Sequence, residues 1–225
     1  MDLDGLSEAE ALKAAGVDAV SASPTLPVSK SSATAPLPQP GPDGRMVFPV
    51  GVWAQMKDLT KHEKTEDGPW VRLGQVVNGW YEKDIVLMTN LGIRARFRGQ
   101  RVKDYDYPQL NLRGVKDKTP ALNLHIRSGK MQIRVMETGF PVLAEAPLRE
   151  PLPQGKEYVA EFYAIGQQVI ARVNGQELTA STDLPPAPCS FSLFGADWDY
   201  FQDAQVLNLD GLSESEARKA AGIGE

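Results

Sequence analysis

The sequence contains a single cysteine, Cys189, and only two histidines, His62 and His125, in 225 residues. One cysteine excludes an internal disulfide and a thiolate metal cluster. Cys189 alternates in phase with Phe191 and Leu193, which favours a small buried hydrophobic residue over a reactive thiol. The chemistry of the protein must therefore be sought among its polar and aromatic side chains.

Long apolar runs and an excess of positive charge are also missing. No segment approaches the ~20 apolar residues that span a bilayer, and the acidic start lacks the basic and apolar regions of a signal peptide. The net charge of −5 gives no reason to expect nucleic acid as a partner. We therefore predict no nucleic-acid binding and no membrane insertion in this fragment.

One short motif is present near both ends of the chain. "DLDGLSEAEALKAAGV" at residues 2–17 and "NLDGLSESEARKAAGI" at residues 208–223 agree at 12 of 16 positions. A serine followed three residues later by a glutamate, as Ser213 and Glu216 in the second copy, forms a capping box that begins a helix. Gly222 fits a left-handed C-terminal cap. Each helix would be marginal alone, so we expect it to pack on the domain through its leucine and alanines.

Composition divides the chain into four segments. Residues 20–44 are rich in Pro, Ser, Ala and Thr, with no aromatic residue, and predict an extended linker. Period-two patterning follows from residue 45 to residue 209. We predict a helical tag at 1–19, this linker, a β domain at 45–209 and a second tag at 210–225. The closing strand "FQDAQVLNL" runs directly into the second tag. The first tag is therefore interpreted as the tail of a preceding domain, and the chain as one unit of a tandem array.

Two hairpins are the clearest secondary-structure signals. "ALNLHIRSGKMQIRVME" turns at residues 128–129, and "VIARVNGQEL" turns at Asn174-Gly175. The cross-strand pairs predicted for them are Asn123 with Arg134, His125 with Gln132, Arg127 with Lys130, and Arg172 with Glu177. Each strand has one polar and one apolar face, and turns are frequent. The sequence therefore predicts an all-β fold, an antiparallel two-sheet jelly-roll sandwich with short flanking helices.

The order of the strands also resembles a known family. "RARFRG", "LNLRG", "MQIRV", "QGKEYVAEFYAIGQQVIARVNGQEL" and "FSLFGADWDYFQDAQVLNLDGL" follow one another between Trp70 and Leu209. This series is similar to concanavalin A-like, laminin G-like jelly rolls, particularly the bacterial 3-keto-disaccharide hydrolase-like domains. The resemblance implies a concave face that often binds glycans and in some members cleaves them. By the same analogy, a periplasmic or cell-surface location in a larger bacterial protein is favoured.

The resemblance gives no catalytic residue, because the sequence departs from the family pattern. "YPQLNLRG" replaces the segment that commonly carries Ser-Gly, and "LNLHIR" replaces a strand with an obvious carboxylate. His125 has no evident carboxylate partner on its own face, and no carboxylate pair suited to glycosidase chemistry can be identified.

The first candidate site is a polar sheet face. If "RARFRG", "QLNLRG" and the first hairpin are neighbours, their polar faces form one surface almost without carboxylates. Arg, Asn, Gln and His offer planar groups with several donors, suited to sugar hydroxyls or carboxylates. The alternative is a solvated face whose charges oppose aggregation. The predicted ligand-binding residues here are Arg96, Arg98, Asn111, Arg113, Asn123, His125, Arg127, Gln132 and Arg134, with Arg94 and Gln109 beside them.

The second candidate site is a pair of loops, "KDYDYP" and "GADWDYF". The rings of Tyr105, Tyr107 and Trp198 would stack on sugar faces, and the Asp pairs would bind hydroxyls or Ca²⁺. The alternative is that the rings close the core and the aspartates cap turns. Two short Asp pairs supply too few oxygens for Ca²⁺, so no cofactor is predicted and Ca²⁺ is kept only as an alternative.

These observations favour a non-catalytic module that recognises a carbohydrate or another polar or anionic ligand. The first alternative is a glycoside-processing enzyme of the resembling family. The second is a structural repeat whose partners are the neighbouring repeat domains.

Overall fold

The computed structural model describes residues 36, 39–42, 46–55, 70–72, 88–99, 109–114, 121–127, 129–152, 155–186, 190–194 and 199–224. The strands are β1 (Gln39–Pro40), β2 (Met46–Val47), β3 (Trp53–Gln55), β4 (Val71–Arg72), β5 (Leu91–Gly99), β6 (Gln109–Gly114), β7 (Ala121–Arg127), β8 (Lys130–Met136), β9 (Val142–Pro147), β10 (Glu157–Ile165), β11 (Gln168–Val173), β12 (Gln176–Ser181), β13 (Ser190–Phe194) and β14 (Asp199–Asn208). The helix α1 is Glu214–Ala220.

The strands form two antiparallel sheets that pack on one core. Sheet I has the order β12–β11–β10–β5–β14–β3, with β4 also paired to β14, and sheet II has the order β13–β6–β7–β8–β9. The core between them includes Phe97 and Phe162 from sheet I and Leu124 and Ile133 from sheet II. The predicted all-β jelly-roll sandwich is therefore confirmed.

Both predicted hairpin registers are confirmed. Asn123 pairs with Arg134 in β7 and β8, and Arg172 pairs with Glu177 in β11 and β12. Asn174 and Gly175 have φ angles of 48° and 79°, the left-handed pair that a tight two-residue turn requires. Each register keeps the apolar side chains on the core face, which a slip of one residue would reverse.

The expectation that β5 lies beside β6 is wrong. β5 pairs with β10 and β14 in sheet I, whereas β6 pairs with β7 and β13 in sheet II. Both strands alternate in the same way because both face the same core, so the pattern does not reveal the sheet to which each belongs. The arginines of β5 consequently lie on the outer face of sheet I, away from the polar residues of β6, β7 and β8.

The C-terminal motif forms the predicted capped helix. Ser213 and Glu216 complete the capping box. At the other end, Gly222 has a φ of 65°, and the N–H of Ile223 donates to the carbonyl of Arg218, which is a Schellman cap. The helix packs on the outer face of sheet I, as expected from its leucine and alanines.

The predicted segment boundaries stay predictions. The first tag lies outside the described residues, while β1 lies within the stretch predicted as linker and pairs with β2. Within the predicted β domain, residues 69–77 are described only at 70–72, and residues 83–88 only at Met88. Within the described residues, no helix is long and apolar enough to cross a membrane.

Candidate functional site

The outer face of sheet II carries two hydrogen-bonded groups of polar side chains, which together we call the sheet II polar face. The strands β6, β7 and β8 supply most of it, and the edge strand β9, which was not predicted, adds a carboxylate. Its members are Gln109, Asn111, Asn123, His125, Gln132, Arg134 and Glu145. Five of these are among the predicted ligand-binding residues, so the structure brings this part of the predicted site together.

Asn123 lies at the centre of this face and is fully buried, with 0% of its surface exposed. Its amide nitrogen donates to Oε1 of Gln109 at 2.9 Å and to Oδ1 of Asn111 at 2.7 Å. Its amide oxygen accepts from Nε and Nη2 of Arg134 at 3.3 Å and 3.0 Å. Asn123 therefore uses donors and acceptor together to orient its neighbours, and a ligand cannot reach it directly in this conformation.

His125 is also buried, with 1% of its surface exposed. Its Nδ1 lies 3.3 Å from Oε1 of Gln132, whose amide nitrogen in turn donates to Glu145. Lys130 donates to the second carboxylate oxygen of Glu145 at 2.7 Å. Both hydrogen bonds lower the pKa of Glu145 below its ordinary value, and the bond from Lys130 has the larger effect. Gln132 thus stands between the carboxylate and the imidazole.

Phe140 is a site residue that sequence reasoning missed. It lies in the turn between β8 and β9 with 51% of its surface exposed, and its φ of 47° is left-handed. The guanidinium carbon of Arg134 lies 5.7 Å from the centre of its ring. An exposed aromatic residue in a left-handed conformation is uncommon and suggests a role for the ring. The signal in the sequence was a lone phenylalanine in the polar turn "ETGFP".

Arg113 does not belong to the sheet II polar face, contrary to prediction. It is the extra residue of a bulge in β6, opposite the register shift between Ser190 and Phe191, and its φ is 59°. Its buried guanidinium donates to the carbonyl oxygens of Gly166 and Leu184. A bulge changes the direction of a side chain. Here the side chain of Arg113 reaches the turn that joins β10 and β11 in sheet I.

Arg96 and Arg98 lie on the outer face of sheet I. Arg96 forms exposed ion pairs with Glu157 and Asp203, both at 3.5 Å. The guanidinium carbon of Arg98 lies 4.8 Å from the ring centre of Trp70 and 5.3 Å from that of Tyr200. The expected surface without carboxylates is therefore wrong for both sheets, because cross-strand neighbours supply carboxylates to each.

The remaining predicted residues are placed as follows. Arg127 ends β7 and is exposed, opposite Lys130. Tyr105, Tyr107 and Trp198 lie outside the described residues, so their predicted role is not tested. Among the described residues, no group of three or more His, Cys, Asp or Glu side chains is placed to hold a metal ion.

No family model and no curated protein sequence matches the chain. Among solved structures, a carbohydrate-binding module of Bacillus subtilis is 14% identical with a TM-score of 0.42, covering 70% of this chain and 91% of that chain. Domain 4 of an extracellular arabinanase from Geobacillus stearothermophilus, in complex with arabinotriose, is 14% identical with a TM-score of 0.43, covering 76% and 80%. A Caenorhabditis elegans galectin is 18% identical with a TM-score of 0.38, covering 64% and 92%. Similarities of this size carry no functional argument, so function must be inferred from the side chains.

Proposed function

We propose that the protein is a non-catalytic module that recognises a carbohydrate at the exposed rim of the sheet II polar face. The rim consists of Lys130, Gln132, Arg134, Glu145 and Phe140. The observation that carries the proposal is Phe140, an exposed ring held in a left-handed turn beside Arg134. Sugar recognition needs an aromatic surface for the apolar side of the ring and planar polar groups for its hydroxyls. Arg134 supplies such a group beside Phe140, and Gln132 and Glu145 supply others further along β8 and β9.

The buried members of the face act as its support. Asn123 fixes the guanidinium of Arg134, and His125 fixes the amide of Gln132, so both rim groups are held before a ligand arrives. Preorganised groups lose less conformational entropy on binding. The predicted ligand residues Asn123 and His125 are therefore proposed as positioning residues.

The rim combines Arg134 and Lys130 with the carboxylate of Glu145. Groups of both signs, with Lys130 already paired to Glu145, favour neutral hydroxyl-rich ligands over strongly anionic ones. The likeness of the strand order to 3-keto-disaccharide hydrolase-like domains is in keeping with a glycan ligand and with an extracytoplasmic location, and both remain parts of this proposal.

The test is a glycan array followed by titration calorimetry on the best neutral oligosaccharide. Phe140→Asn removes the ring but keeps a residue that tolerates a left-handed conformation, so folding should persist while affinity falls at least tenfold. Val50→Asn, another exposed apolar residue, is the matched control and should bind normally. Equal affinity of Phe140→Asn and the unaltered chain would refute the proposal. Hydrolysis of 3-keto-glycosides by the unaltered chain would refute its non-catalytic part.

We also propose that the chain is one unit of a tandem array, with neighbouring repeat domains as partners. The supporting observation is that the second tag is an integral part of its own domain, packed on sheet I directly after β14. A first tag of nearly the same sequence would then end a preceding domain in the same way. A parent sequence without a β14-like strand before residue 2 would contradict this arrangement.

A further inference from the structure

The C-terminal motif occupies a defined apolar surface on sheet I, which we call the helix-docking site. Its walls come from β3, β10, β11 and β14. The motif contributes Leu209, Leu212, Ala217, Ala220, Ala221 and Ile223 to the contact. The helix-docking site consists of Trp53, Tyr163, Ile165, Ile170 and Leu207. This cluster is separate from the core between the two sheets, so the sandwich and the docked helix are two packing units.

Polar contacts fix the direction and register of the motif. The carboxylate of Asp210 accepts from the N–H groups of Thr89, at 3.0 Å, and Asn90, at 2.7 Å. Near the other end, the hydroxyl of Tyr163 lies 3.0 Å from the carboxylate of Glu161 and 3.3 Å from the carbonyl of Ala221, so its one proton is shared between these two acceptors. Arg172 donates to the carbonyl of Gly222 at 3.0 Å. The motif is thus held at both ends as well as along its apolar side.

The N-terminal copy retains the residues that make these contacts. Leu209, Asp210, Leu212, Ser213, Glu216, Ala217, Ala220, Ala221 and Gly222 correspond to identical residues 206 positions earlier, from Leu3 to Gly16. Ile223 corresponds to Val17, a conservative apolar change. Ser215 corresponds to Ala9 and is exposed. Nine of the twelve identical positions are therefore docking, capping or turn positions, although three of the four differing positions, Asn208, Arg218 and Ile223, also make contacts.

Two differences weaken the N-terminal copy as an occupant. Arg218 donates to Oε1 of Gln168 at 3.0 Å and to the carbonyl of Gly224, and its counterpart Leu12 can do neither. Asn208, which donates to the carbonyl of Phe48, corresponds to Asp2. The chain's own helix is also tethered directly to β14, which raises its effective concentration. The native helix should therefore hold the site whenever it is intact.

We propose that the helix-docking site is a transferable binding site for this motif, and that residues 2–17 are its second occupant. When the native helix is dislodged, the N-terminal copy of a second chain takes its place. Successive copies of the domain can exchange tails in this way, as in domain swapping. The inference is independent of sugar binding and rests on the contacts of α1 together with the repeated sequence.

The first test is a double-mutant cycle in the full chain. Ala217→Arg places a long charged side chain at a buried contact and should dislodge the native helix, while Ala11→Arg makes the same change in the N-terminal copy. Ala11→Arg alone should leave the thermal midpoint unchanged. In the Ala217→Arg background it should lower the midpoint by several degrees more. An Ala11→Arg change that is silent in both backgrounds would overturn the proposal.

The second test is direct binding of a labelled peptide with the sequence of residues 2–17. The receptor is the full chain with both Ala11→Arg and Ala217→Arg, in which neither copy can occupy the site. The peptide should bind saturably, roughly tenfold more weakly than a peptide of residues 208–223 because it lacks the contact of Arg218 with Gln168. The Ala11→Arg peptide is the matched control and should not bind.

A variant with milder substitutions serves as the receptor if the double arginine variant does not fold. Ile223→Ser and Val17→Ser make the corresponding change at the edge of the site, where the C-terminal cap meets the sheet. Binding of the 2–17 peptide to that receptor, with loss of binding for its Ala11→Arg form, would support the proposal. Absence of peptide binding to a folded receptor would overturn it.

Discussion

Replacing Asn123 by leucine tests whether the sheet II polar face is built around one buried amide. Leucine has nearly the same size, so little volume changes, but it removes two donated hydrogen bonds and one accepting oxygen. Gln109 is buried and loses a partner outright, whereas Asn111 and Arg134 are partly exposed and regain water. A buried polar group left unsatisfied costs about 1–3 kcal/mol. Gln109 therefore bears the full penalty, and Asn111 and Arg134 each bear part of it. Asn123→Leu should lower the free energy of unfolding by about 2–4 kcal/mol.

The measurement is equilibrium unfolding in urea, read by circular dichroism. We expect the midpoint to fall without a change in the slope m, since the exposed surface on unfolding is nearly unchanged. Arg127→Leu, at an exposed position of the same strand and face, is the matched control and should change stability by less than about 0.5 kcal/mol. An Asn123→Leu variant as stable as this control would refute the reasoning, because the amide would then contribute nothing that a hydrophobic side chain does not.

Three further predictions concern other parts of the molecule. A Cβ at Gly92 would lie 2.5 Å from Cδ1 of Tyr163, so Gly92→Ala should cost about 1–3 kcal/mol by overpacking in urea unfolding. Tyr163→Leu in the same chain should relieve part of that loss. Arg113→Met removes two bonds to carbonyls and should cost about 1.5–3 kcal/mol in thermal unfolding; an unchanged midpoint would count against the role of Arg113. The pKa of Glu145 is lowered, so the stability that its ionised form contributes is present above about pH 4.3 and lost as pH falls through the lower folded pKa. A carboxyl NMR titration that places the pKa of Glu145 at or above 4.3 would contradict its hydrogen bonds.

The strands and turns could be predicted because local chemistry determines them. Asn174-Gly175 adopts the left-handed turn that few other pairs accept, and period-two alternation then leaves only one register with a dry face. The capping box of Ser213 and Glu216 was equally readable, since both partners lie within one turn of helix. These features depend on neighbours in sequence, which a single chain displays directly.

The sheet to which each strand belongs could not be predicted in the same way. β5 and β6 each present alternating arginine or amide residues on one side and apolar residues on the other, because both cover one core. Their assignment depends on the crossover between them, for which the sequence has no local signal. Arg113 was misplaced and Phe140 was missed for a related reason, since a bulge or a left-handed turn breaks the alternation from which side-chain direction is inferred.

The placement of α1 has a mechanical consequence for any pulling force on the C-terminal end of the chain. The helix lies on the surface of sheet I, so its contacts break one after another, from Ile223 back towards Asp210. β14 is hydrogen-bonded on both edges, to β5 and to β3 and β4, and its ladder must shear as a unit. A pull would therefore release roughly 50 Å of chain, at about 3.3–3.6 Å per residue, before the β14 ladder has to bear the force. The docked tail is an extensible element that lengthens and re-forms while the sheet face stays intact.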